Sequence, residues 1–332
     1  MSNRENSKIL EDIGGEAGCR QIAKDFYARV SDSPELKPLF PGNNFRCATE
    51  EFAAFLIQFL DGDQDQTQYR WWLSLRESHS RFQISEQQRA EWLRLMTETI
   101  HSLMEDFETQ KALKQFFDVA SAYILGDERG ELEHQELNSH WGQQKALDRL
   151  IDHIVKKLDT EAIELAVQFE SRPSVFVGIL ARMMESRREP LLEFVLSGVI
   201  RKRDLGAMRF NGRTLLHFAA GASCLSVVRQ ILQDGVNPDI LDSGKHTPLY
   251  RAASSGIVEE LVRHGASVNH CEGVTRSTAL HQAARFGNLA VAEALLAAGA
   301  SATATDKKGQ TPLDRARNCR RPEVVAFLMS KS

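Results

Sequence analysis

Leu75-Arg76-Glu77-Ser78-His79-Ser80-Arg81-Phe82-Gln83-Ile84 sets one histidine among apolar and aromatic neighbours, and Trp92 follows thirteen residues after it. No second metal-ligating side chain lies close by in sequence. Two readings fit such a histidine: an ordinary half-buried imidazole, or the lone protein ligand of a metal cofactor. The choice depends on what surrounds it.

Upstream and downstream the chain reads as helix after helix. Gly14-Gly15 breaks it. A helical pattern then runs from about Glu16 to Val30, with Ile22, Phe26, Tyr27 and Val30 on one face. Ser31-Asp32-Ser33-Pro34 ends it. Leu36, Leu39 and Phe40 form a short apolar turn before Pro41-Gly42. Thr49 is the expected cap of the next helix, whose wide apolar face carries Phe52, Phe55, Leu56 and Phe59. A short helix is expected over Trp71 to His79. Ser85 is a good N-cap for a long one from Glu86 to Met104, and a last helix spans Glu108 to Leu125. Nothing in this part alternates as a strand would. About six helical stretches with many phenylalanines predict an all-α fold packed by ridges and grooves, and such aromatic walls also suit a flat apolar cofactor.

Those residues carry a resemblance. Gly14-Gly15, Phe26-Tyr27, Leu39-Phe40-Pro41, Leu75-Arg76-x-x-His79, Phe82-x-Ile84 and Trp92-Leu93-x-x-Met96, in that order, are similar to the truncated haemoglobins, specifically their second group. The resemblance covers about residues 9 to 125. It implies the 2-over-2 helical globin fold and a bound haem b. It implies that His79 is the proximal iron ligand and that Tyr27 is a distal tyrosine. Phe40 falls at the aromatic position against the haem face, Ala48 and Phe52 at two distal positions, and Trp92 at the ligand-facing tryptophan. The chemistry suits those roles: one imidazole nitrogen binds iron while the other donates a hydrogen bond that fixes the ring. A phenol and an indole are donors for a bound diatomic ligand. Ala48 offers no hydrogen bond and leaves the entrance open. The chain departs from the family at Asp61-Gly62-Asp63, where Gly-Gly-Pro is usual. Arg46, Arg70, Arg76 and Arg81 are available to haem propionates, and the sequence chooses none of them.

Asp127 to Ser139 is acidic and polar, like a linker or an exposed helix. From Trp141 to Leu205 the pattern is helical again: Leu147, Leu150, Ile151, Ile154 and Val155 share a face, and later helices pair like worn repeats. The last 120 residues then repeat openly. Gly212-Arg213-Thr214-Leu215-Leu216-His217-x-Ala219-Ala220 recurs at His246-Thr247-Pro248-Leu249, at Ser277-Thr278-Ala279-Leu280-His281 and at Gly309-Gln310-Thr311-Pro312-Leu313-Asp314. The threonines are 33, 31 and 33 residues apart. Each of the first three copies has a second helix that ends in Gly235, Gly265 or Gly299. Period and motif resemble ankyrin repeats. That resemblance implies an α-solenoid whose work is protein binding, with His217 and His281 as structural histidines.

The expected organisation is a haem domain at 1–126, a helical connector or degenerate repeats at 127–205, and about four ankyrin copies at 206–332. Net charge is −4, from 41 basic and 45 acidic residues, which lacks the electrostatic footprint of a nucleic-acid binder. The five cysteines are scattered and unpaired in spacing, as in a reducing cytoplasm. No run of eighteen apolar residues is present to span a membrane. The leading expectation is a cytoplasmic haem protein that binds oxygen or another diatomic gas and docks a partner through its repeats, sensing or handling the ligand rather than turning it over. The alternatives are haem-dependent oxygen, nitric oxide or peroxide chemistry, and a haem-free interaction scaffold.

Overall fold

The computed structural model describes residues 7–40, 45–60 and 73–331. Asp61-Gly62-Asp63, Arg70, Trp71 and Pro41-Gly42 lie outside them. The chain divides into two units, 1–166 and 167–332.

The first unit holds α1 (Lys8–Asp12), α2 (Gly15–Asp32), α3 (Arg46–Phe59), α4 (Leu75–His79), α5 (Glu86–Leu103), α6 (Phe107–Ile124), α7 (Gln135–Lys156) and most of α8 (Asp159–Val167). It has no strand among the described residues. Local chemistry explains the helix starts. Ser85 and Gln88 close a capping box on α5, and Asp106 caps α6 by accepting from Thr109. Ser74 accepts the Glu77 N–H to start α4, so that helix begins later than Trp71. Thr49 is not a cap: α3 starts at Arg46, and the Thr49 hydroxyl donates back to the Phe45 carbonyl at 2.9 Å.

α2 packs on α3 and α5, and α5 on α6. Phe26, Phe116, Leu56, Met96 and Ile100 fill the core between them. This core does not stop at residue 126. Leu132, Leu137 and Trp141 belong to the same cluster, and Trp141 is 1% exposed, edge-on to Tyr123 and Phe116. The packing thus places α7, the first helix of the stretch 127–205, in the first unit. Val155 does not share the buried face of α7; it is exposed while Leu150, Ile151 and Ile154 are buried.

The second unit is a stack of helix pairs: α9 (Pro173–Ser186) with α10 (Glu189–Arg201), α11 (Leu215–Gly221) with α12 (Leu225–Gln233), α13 (Pro248–Arg251) with α14 (Ser255–Arg263), α15 (Ala279–Phe286) with α16 (Leu289–Ala297), and α17 (Pro312–Asn318) with α18 (Pro322–Met329). First helices pack on first helices and second on second along the stack, and α9 and α10 join it as the others do. A two-residue antiparallel pair, β1 (Arg209–Phe210) with β2 (Arg213–Thr214), precedes α11. Each motif threonine is an N-cap, with Pro248 and Pro312 in the first turn, where a missing N–H costs nothing. Gly235, Gly265 and Gly299 turn out of the second helices at φ near +90°, the left-handed region that glycine enters without strain.

The motif histidines tie copies together. The His217 Nε2–H donates to the His246 carbonyl at 3.0 Å, and the His281 Nε2–H to the Gln310 carbonyl at 3.0 Å. Nδ1 of each accepts the N–H of its threonine cap. A proton on Nδ1 destroys that acceptor, and burial pushes His217 down from 6.5 to about 4. His281 is lowered for the same reason. The unfolded chain therefore takes up the His217 proton first, and stability present above pH 6.5 is lost as pH falls toward 4. At about 1.4 kcal/mol per pKa unit the loss from His217 is about 3 kcal/mol. Asp242 and Asp306 do not share this window. Burial opposes their charge, but His246 and Arg251 on one, and the Gln310 N–H and Arg315 on the other, hold both carboxyls low. Urea midpoints of the repeat transition at pH 7 and pH 4.5 check this; equal midpoints contradict it.

Candidate functional site

The helices of the first unit enclose a cavity of about 630 Å³. All six residues singled out in the sequence line it: Tyr27, Phe40, Ala48, Phe52, His79 and Trp92. They arrive from five separate places: α2, the turn before Pro41, α3, α4 and α5.

One wall is aromatic. The Tyr27 ring meets Phe26 at 5.2 Å, Phe40 at 5.5 Å and Phe52 at 6.3 Å, mostly edge-on. Trp92 stands 5.1 Å from Phe26 and 5.7 Å from Phe117. Offset and edge-on contacts of this kind fix ring orientations as well as burying area. Burial, then the charge of Glu51, pushes the Tyr27 phenol well above its ordinary range, so it stays a neutral donor at physiological pH.

His79 is the last residue of α4 and is half-buried. Its Nδ1 lies 2.8 Å from the Leu75 carbonyl and 2.8 Å from the Ser78 hydroxyl. A carbonyl only accepts, so the Nδ1–H donates to it, and Nε2 is the nitrogen that a neutral ring would offer to a metal. Phe82 flanks the imidazole with ring centroids 6.4 Å apart. Among the described residues no group of three His, Cys, Asp or Glu side chains converges as a metal site. An imidazole with a fixed tautomer in an apolar, aromatic-walled slot fits a haem bound through one protein ligand.

The arginines sort themselves. Arg46 pairs with Glu50. Arg76 pairs with Glu128 and lies 3.8 Å over the Tyr123 ring. Arg81 lines the cavity. So does Arg89, which the sequence reading missed; it bonds Asp118 and the Ser121 hydroxyl. The only sequence signal for Arg89 is its place four residues after the Ser85 cap, on the side of α5 shared with Trp92.

Residues 8–124 match the family model for bacterial-like globins, and residues 180–272 and 252–332 match the model for three-copy ankyrin repeats. The chain is also similar to a putative E3 ubiquitin-protein ligase of Arabidopsis thaliana, 33% identical over 135 residues, 36% of this chain and 30% of that protein. A B-cell lymphoma 3 protein homolog of Mus musculus is 34% identical over 149 residues, 43% of this chain and 32% of the other. Human diacylglycerol kinase iota is 41% identical over 88 residues, 25% of this chain and 8% of that protein. The chain thus spans a third or less of the length of these relatives. Its two units belong to two known families: a bacterial-like globin domain at residues 8–124 is joined to ankyrin repeats over 180–332.

Proposed function

We propose that the first unit binds a haem b through His79 and that the haem takes a diatomic gas, while the repeats dock a partner protein. The observation that carries this reading is the convergence of His79, Tyr27, Phe40, Phe52, Ala48 and Trp92 on one cavity, with the His79 tautomer held by Leu75. Bound haem would supply an iron able to take a diatomic ligand. The chain's own residues do the rest. His79 offers Nε2 while Leu75 keeps the ring from turning. Phe26, Phe52 and Phe117 exclude water. Tyr27 and Trp92 present O–H and N–H donors to a ligand that gains partial negative charge. Arg81 and Arg89 offer cations to carboxylates at the cavity edge. Gas binding that alters partner binding is part of the proposal, motivated by the two units sharing one chain. Equal partner affinities with and without carbon monoxide remove that part.

Two outcomes test the distal side. Tyr27→Phe keeps ring packing and removes the donor. It is expected to speed oxygen dissociation about tenfold, the equivalent of one net hydrogen bond of about 1.4 kcal/mol, in stopped-flow displacement by carbon monoxide. Carbon monoxide itself, a poorer acceptor, should leave at a nearly unchanged rate. An oxygen rate that does not move assigns Tyr27 to packing alone.

A further inference from the structure

A buried polar cluster of the first unit lies on α7, outside the cavity and beyond the globin match. Gln144 and Asp148 are 7% and 4% exposed. They continue the buried face that begins with Leu137 and Trp141, so they point into the unit rather than out of it. The Asp148 Oδ1 accepts the Leu75 N–H at 2.7 Å and a Gln144 Nε2–H at 2.9 Å. Gln144 also donates to the Leu73 carbonyl at 3.1 Å. Leu75 is the first residue of α4, and its carbonyl is the acceptor that fixes the His79 ring. One residue is therefore held by α7 at its N–H and holds the histidine at its C=O.

α4 needs such a hold. It has five residues, too few for a stable helix on intrahelical bonds alone, and its first N–H groups have no partners inside it. A lone carboxyl is also costly to bury without compensation. Its hydrogen bonds from Leu75 and Gln144 supply part of that compensation and bear on the segment that carries His79; Ser74 and Tyr123 also favour the charged carboxyl.

We infer that Asp148 is a positioning residue for His79: through the Leu75 backbone it sets how α4 presents the imidazole to the cavity. The inference rests on the haem reading above. It concerns the acceptor oxygen, not the charge, so asparagine should substitute and alanine should not.

The test uses the full chain reconstituted with haem. The iron–histidine stretching band of the ferrous, ligand-free protein reports the proximal bond directly, and haem transfer to apomyoglobin reports its retention. Asp148→Ala is expected to shift or split the band and to speed haem loss on the order of tenfold, the lower end for partners of a metal ligand. Asp148→Asn is expected to restore both to near the parent values. Amide exchange at Leu75 in the haem-free chain should speed up in the alanine variant and not in the asparagine one. Should Asp148→Ala fail to fold, Gln144→Met, which removes one side-chain donor from the carboxyl, is expected to move the band in the same direction by less. A folded variant with the parent band and haem-loss rate overturns the inference. A parent chain that takes up no haem overturns the haem reading first and this inference with it.

Discussion

His79→Ala is expected to leave the first unit folded and to strip it of haem retention. The side chain is half-buried and ends a short helix, so its loss removes little packing. What it removes is the one imidazole among the described residues that line the aromatic cavity, where Cys47 and Glu51 are the other residues of metal-ligating type. Outer partners of a metal ligand are worth about 10–100-fold in affinity, so the ligand itself should be worth more than roughly 100-fold. Transfer of haem to apomyoglobin measures this, with thermal unfolding of the haem-free proteins as the control for folding. Trp92→Ala makes a useful contrast: it widens the cavity but keeps the ligand, so haem should remain bound. Parent-like retention in His79→Ala sends the search for the iron ligand elsewhere.

The second large effect lies outside the globin match. Trp141→Ala is expected to destabilise the first unit by about 3–5 kcal/mol, the usual cost of emptying a large aromatic from a packed core. Against a total of about 5–15 kcal/mol for a domain, that leaves the unit marginal. Trp141 is buried against Tyr123 at 5.0 Å and Phe116 at 6.0 Å between ring centroids. The hydroxyl of Ser7 also bonds Glu136 on the same helix, tying the start of the unit to α7. Denaturant unfolding followed by a haem-domain probe should show the midpoint fall. A loss under about 1 kcal/mol, the scale of a surface substitution, would mean that α7 is an appendage of the globin rather than part of its core.

The sequence was most legible where spacing carries meaning. Register around His79 picked out Tyr27, Phe40, Phe52, Ala48 and Trp92, and the structure brings all of them to one cavity. The repeats were legible for a similar reason: a threonine cap, a proline in the first turn and a glycine after the second helix are local chemistry, repeated. The role of α7 was not legible. Its approach, Asp127-Glu128-Arg129-Gly130, reads as solvated linker, and Gln144 and Asp148 interrupt its apolar pattern. Polar residues in register with Leu137 and Trp141 were the available signal, because a buried face tolerates them only when a partner waits. That partner, the backbone of Leu73 and Leu75, is 71 and 73 residues away in sequence from Gln144 and Asp148 respectively, and spacing cannot show it. Thr49 failed for a smaller reason: a threonine near a helix start can cap or bond back to the preceding turn, and here it bonds back.

The most direct test is a haem titration of the purified full chain, followed by reduction and addition of carbon monoxide. The account predicts a Soret band that saturates at one haem per chain and shifts sharply when the ferrous protein meets carbon monoxide. A titration with no saturable Soret band, or one left unchanged by His79→Ala, would contradict it.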